Sequence, residues 1–103
     1  MSEQAVIVDF KLRANCEAEF FDLDRSLDEA FSGATNGEYD GHEINEEMNE
    51  GTLYFYGEDA DRLFETVSIE LLKSSIFESA IATIRYGAAD EGASERKVNL
   101  FNR

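Results

Sequence analysis

Residues 38–51, EYDGHEINEEMNEG, hold six carboxylates, the chain's single histidine and no lysine or arginine. Carboxylates beside an imidazole are the donor set for a divalent metal or for general acid/base work. Asp40 and His42 stand two apart; on a regular strand both side chains would face the same way. Glu43 follows, and Asp9 could add a third ligand if the strands bring it near. Against this, zinc sites usually take more than one imidazole or thiolate, and the chain has one His and one Cys. The ligand run of an EF-hand, a glycine-rich phosphate loop, a nucleophile motif and H-E-x-x-H are all missing from the sequence. The simpler reading is that Asp40-Gly41 bends an edge strand and His42 makes a local hydrogen bond. No catalytic residue, cofactor or metal is therefore assigned. An ordinary solvated hairpin ranks first for this stretch, a surface offered to a partner second, and a metal or acid/base site third.

Composition narrows the partners. The 103 residues carry 9 basic and 23 acidic side chains, net charge −14. The charge is uneven: residues 1–84 hold 5 basic and 20 acidic groups, residues 85–103 hold 4 and 3. An acidic body repels phosphate backbones and anionic membrane surfaces, so neither nucleic acid nor membrane is an expected partner. It suits solubility or a basic protein partner. No apolar run approaches the ~18–20 residues that span a bilayer. The start, MSEQ, does not read as a signal or transit peptide, and Cys16 has no second cysteine to pair with. These features point to a cytoplasmic protein.

The length suits one domain over residues 1–103. Residues 5–12, AVIVDFKL, alternate as a strand with Val6, Val8, Phe10 and Leu12 on one face. Asn15 is placed to cap a helix in which Phe20, Leu23, Leu27, Ala30 and Phe31 form an apolar stripe that Ser32-Gly33 ends. Asn36-Gly37 signals a turn. A polar strand over about 38–45 follows, with a bulge or close approach expected at Gly41. Strand 52–56, TLYFY, completes a hairpin whose tip is the acidic loop 46–50. Asp59 or Glu58 caps a second helix, with Ala60, Leu63, Phe64, Val67, Leu71 and Leu72 inward. Residues 79–86 form another strand, 87–92 a loop, and 96–101 a weaker last strand. The order β-α-β-β-α-β is the ferredoxin-like α+β arrangement: an antiparallel sheet, both helices on one face, plus a short C-terminal strand. The expected strand order is 4-1-3-2, with the trailing strand beside the fourth.

That arrangement leaves one sheet face open, showing Ile7, Asp9, Lys11, Tyr54, Tyr56, Ile81, Thr83 and Arg85. DGHE at 40–43, YGEDADRLFE at 56–65 and IRYG at 84–87 together resemble a group of small acidic bacterial proteins of ferredoxin-like topology. The resemblance implies that fold and a bacterial origin, and it brings no catalytic residue. Tyr54 and Tyr56 on the open face suggest stacking on bases, but the basic residues that accompany such aromatics in RNA-binding domains are absent here. The face is left for a homodimer, for a protein partner, or for residues 93–103 to fold over. Cys16 reads as a passive, half-buried thiol.

The function expected from this is non-enzymatic protein–protein contact, of the kind an inhibitor or immunity-type protein makes with a basic target. The surface is assigned to Glu38, Asp40, His42, Glu43, Glu46, Glu47, Glu50, Tyr54 and Tyr56. An enzyme or metal site on Asp40, His42 and Glu43, and a homodimer with no catalytic role, are the alternatives.

Overall fold

The computed structural model describes residues 3–32, 37–88 and 92–101. Strands β1 (Gln4–Leu12), β2 (Glu38–Ile44), β3 (Glu50–Gly57), β4 (Phe77–Arg85) and β5 (Glu95–Asn99) form one antiparallel sheet, ordered β2-β3-β1-β4-β5. Helices α1 (Glu17–Phe31) and α2 (Ala60–Leu72) complete an α+β chain. No described helix is long and apolar enough to cross a membrane.

The alternation in β1 sets the core. Val6, Val8, Phe10 and Leu12 are buried and join Leu53 and Phe55 of β3 and Ala80, Ala82 and Ile84 of β4. Phe20, Leu23, Leu27 and Phe31 of α1 and Leu63, Val67 and Leu71 of α2 enter the same cluster, so both helices cover the same side of the sheet. Aromatic rings fill the ends. Phe10 stacks on Phe20 at 5.3 Å and meets Phe77 edge-on at 5.6 Å, while Phe31 lies 5.3 Å from Phe55. No polar side chain is fully buried among the described residues.

The helix ends differ from expectation at one place. Asn15 does not cap α1: it adopts φ 63°, and Cys16 takes the cap position without a side-chain bond. Glu17 and Glu19 still suit the positive end of the helix dipole. Asp59 caps α2 as expected, accepting from the N–H groups of Asp61 and Arg62 at 3.1 and 3.2 Å. Two stripe residues are exposed instead of buried. At about 100° per residue, Leu72 falls nearly opposite Leu63, while Ala30 lies at the edge of the α1 stripe beyond Leu23 and near the helix end. Ala30 is exposed and Leu72 is 54% exposed. Of the expected turn residues, Gly33 and Asn36 lie outside the described set, as do residues 89–91.

The C-terminal segment extends the sheet. β5 pairs with β4, Leu100 N–H donates to Ala80 O, and the Phe101 ring stacks on Phe77 at 5.7 Å on the helix side. Residues 92–101 therefore do not cover the open face, contrary to one of the three expectations for it.

The hairpin carries a sharp steric requirement. A Cβ on Gly51 would collide with the Glu43 carbonyl and sit 2.8 Å from the Phe10 ring. Gly51→Ala should lower stability by about 1–3 kcal/mol, the usual cost of forcing atoms into filled space. Urea unfolding followed by circular dichroism checks this, and an unchanged midpoint would contradict the close approach.

Candidate functional site

The edge strand β2 contains one residue too many for its partner. Tyr39 lies opposite Phe55 and His42 opposite Leu53, so Asp40 and Gly41 together face the single residue Tyr54. Gly41 takes φ 100°, and a Cβ there would meet nothing within 4 Å, so the backbone angle, not crowding, calls for glycine. The bulge shifts the alternation by one. Tyr39 and His42 both turn toward α1, while Glu38, opposite Tyr56, and Glu43, opposite Thr52, turn to the open face. Asp40 is left exposed at the bend.

This overturns the expectation that Asp40 and His42 share a face. His42 meets α1 instead. Its Nδ1 lies 3.0 Å from Asp24 Oδ1, and the Tyr39 hydroxyl donates to the same oxygen at 2.6 Å. A carboxylate only accepts, so Nδ1 carries the proton in this bond. The imidazole edge also packs on Phe20, centroids 4.9 Å apart at 90°. The bond is not local, for its partner lies 18 residues back. Asp24 reaches it because it sits one turn after Phe20, on the β2 side of the buried stripe.

The Tyr39 phenol is pushed up from its ordinary value. Burial is the largest cause, followed by the bond to Asp24 and the negative charges of Asp24 and Asp28. Tyr54 on the open face is raised as well, first by its hydrogen bond to Glu43. Asp9 also lies on that face, accepting from the Thr52 hydroxyl at 2.9 Å. His42 thus turns to the helix side, Glu43 and Asp9 to the open face, and Asp40 stays at the exposed bend. Among the described residues no three His, Cys, Asp or Glu side chains converge to hold a metal.

A recess of about 670 Å³ lies beside the latch, lined by Asp24, Arg25, Asp28, Tyr39, Asp40, Gly41 and His42. Asp24 orients His42 as a general base would need. The lining offers no serine, threonine or cysteine for that base to activate. The arrangement ties the edge strand to the helix.

The acidic hairpin is held by Asn45, whose side-chain oxygen accepts from the N–H groups of Asn49 and Glu50 at 3.0 and 3.1 Å. Glu50 begins β3 opposite Lys11, so the tip is shorter than the expected loop 46–50. Glu38, Asp40, Glu43, Glu46, Glu47 and Glu50 are all exposed. Tyr54 and Tyr56 are half-buried on the open face. Cys16 is half-buried against the core, with Sγ 3.6 Å from the Ala14 carbonyl.

Compared with protein-family models, with curated proteins and with solved structures, the chain matches none. Its site is therefore read from its own residues. Sequence reasoning missed Asp24 and Tyr39. The signal was Gly41: once a bulge is placed there, Tyr39 and His42 fall on one face, and a polar group on the adjacent helix must meet them.

Two outcomes follow. Asp24→Ala leaves the Tyr39 hydroxyl and His42 Nδ1 without their acceptor and should cost about 1–3 kcal/mol, read by urea unfolding. Tyr39 holds its proton more tightly folded than unfolded, so its contribution is complete below the unfolded value near pH ~10 and declines as pH rises above that. Tyr39→Phe should therefore flatten part of the loss of stability on the alkaline side of pH ~10, leaving the share due to Tyr54. Equal slopes in both proteins would contradict the buried bond.

Proposed function

We propose that this chain is a non-enzymatic binding protein whose acidic β2–β3 hairpin engages a basic protein partner, in the manner of an inhibitor or immunity-type protein of the bacterial cytoplasm. The observation that carries this is the division of labour on the hairpin. Its histidine is turned inward and bonded to Asp24, while all six of its carboxylates are exposed. What the hairpin offers outward is negative charge on a firm backbone, with Asn45 fixing the tip.

A dense exposed patch of one sign speeds encounter with a surface of the other and makes binding salt-dependent. The same field disfavours polyanions, so nucleic acid and anionic membrane are not the partners proposed. The element order β-α-β-β-α-β supports reading the fold as ferredoxin-like. The open sheet face is a second contact surface beside the hairpin, and we assign it to self-association.

The test is capture on the tagged protein from host lysate at low salt, with stepwise salt elution and mass spectrometry. A basic protein that elutes only at high salt should disappear with Glu46, Glu47 and Glu50 changed to Lys. It should persist when Glu17, Glu58 and Glu65, exposed carboxylates outside the hairpin, are changed instead. Equal loss in both variants would mean that net charge alone was responsible and would sink the assignment to the hairpin.

A further inference from the structure

We propose that the hairpin's basic partner places one arginine side chain in the recess between α1 and the bulged part of β2, with Phe21 as an apolar contact beside it. The proposal rests on the reading of the hairpin as a surface for a basic protein and deepens it. The acidic tip steers the encounter, and the recess takes a single side chain of the same partner.

The surface is built by helix period and strand bulge together. At about 100° per residue, Phe21, Asp24 and Asp28 fall within some 60° of one another on α1. That flank faces β2: Asp24 bonds to Tyr39 and His42, and the Phe21 ring centroid lies 6.3 Å from that of His42. β2 is the edge strand of the sheet, so no further strand lies outside it. The bulge leaves Asp40 exposed on the strand wall. The recess thus has two carboxylates on its helix wall, a third on its strand wall, and the Tyr39 and His42 rings among its lining. Its volume of about 670 Å³ falls within the range of small-molecule sites. Four large apolar side chains are exposed among the described residues. Ile69 and Leu72 lie on α2 and Ile81 on β4, whereas Phe21, 47% exposed, stands on this flank.

Charge and shape select the occupant. The one cation on the lining is Arg25, and its guanidinium donates to Asp22 at 3.0 Å. Asp24 and Asp28 both help to push the Tyr39 phenol up, so their field reaches into the recess. An anion would be repelled, and a neutral group would leave the carboxylates unanswered. A carboxylate has about four acceptor sites, of which Tyr39 and His42 use two on Asp24. The acidic side chains do not converge closely enough to hold a metal ion. A guanidinium spans a wider gap: it is a planar fork of donors that can meet carboxylates on two walls, stacks on aromatic rings and gives up water more readily than an ammonium. Phe21 offers a ring face to that group or to its alkyl stem. The recess lies on the helix side of β2, so filling it leaves Glu38 and Glu43 on the open face untouched.

The test uses N-acetyl-arginine amide as the probe, titrated at low salt into the nitrogen-15-labelled full chain and followed by amide chemical shifts. Saturable shifts should centre on Phe21, Asp24 and residues 39–42, and the lysine analogue should bind more weakly. Asp28→Asn, Asp40→Asn and Phe21→Ala should each weaken binding about two- to fivefold, the scale of one exposed contact. Changing Glu58 and Glu65 to Gln, which lowers net charge away from the recess, should leave it unaltered. Circular dichroism confirms folding, and the two exposed aspartates decide the matter if Phe21→Ala is not folded. Shifts that do not saturate, or an equal loss in the Glu58/Glu65 variant, overturn the proposal. Equal binding of the lysine analogue overturns the assignment to arginine. Shifts confined to residues 46–50 overturn the recess and leave the hairpin reading standing. That reading fails separately, when no basic protein is captured, whatever the arginine probe does.

Discussion

One extra residue in an edge strand governs where the polar groups of this protein go. Had β2 kept strict alternation, Asp40, His42 and Ile44 would share a face. Because Asp40 and Gly41 together oppose Tyr54, the pleat advances by one, and His42 joins Tyr39 against α1. Asp24 then serves both with one oxygen. An edge strand has ladder bonds on one side only, so this shared carboxylate supplies lateral fixing that a second neighbouring strand would otherwise give. The bulge also interrupts the outer edge, where a flat, regular strand would invite another chain to pair.

The same shift determines what remains outside. Glu43 goes to the open face, where the Tyr54 hydroxyl donates to it. Glu38 follows to that face opposite Tyr56, and Asp40 stays at the bend. A hairpin with a histidine among six carboxylates thus separates into an inward latch and an outward acidic surface. The two depend on each other mechanically. Asn45 closes the tip, Leu12 N–H donates to Asn49 O at 2.7 Å, and the bulge anchors the other end of β2 to the helix. The negative surface is therefore carried on backbone held at both ends, which limits the ordering cost of a contact made there.

Much of this was legible from local pattern. The period-two run in β1 and the stripes Phe20-Leu23-Leu27-Phe31 and Leu63-Val67-Leu71 place the core correctly, because burial is the strongest periodic signal a sequence carries. Asp59 as a cap and Gly41 as a bulge are also local. What was not legible depended on carrying a local irregularity forward. Expecting a bulge at Gly41 while keeping Asp40 and His42 on one face is inconsistent. Asp24 was missed because nothing in the helix alone marks which of its acids meets the next strand. Leu72 misled because it is apolar and next to Leu71, while helix geometry turns it away from the stripe.

The proposed hairpin contact and self-association through the open sheet face share Glu38 and Glu43, so the two are compatible only if the basic partner is met chiefly by the tip. Glu46 and Glu47 lie beyond the ends of β2 and β3, clear of the open sheet face. Two acidic tips would then project from one dimer. With a two-fold relation, a basic partner that is itself dimeric, or that offers two basic patches, meets both tips at once, and the second contact becomes intramolecular. A monomeric target with one patch gains nothing from the second tip. The stoichiometry of any complex, one target per dimer or two, thus reports which kind of basic surface the hairpin has met.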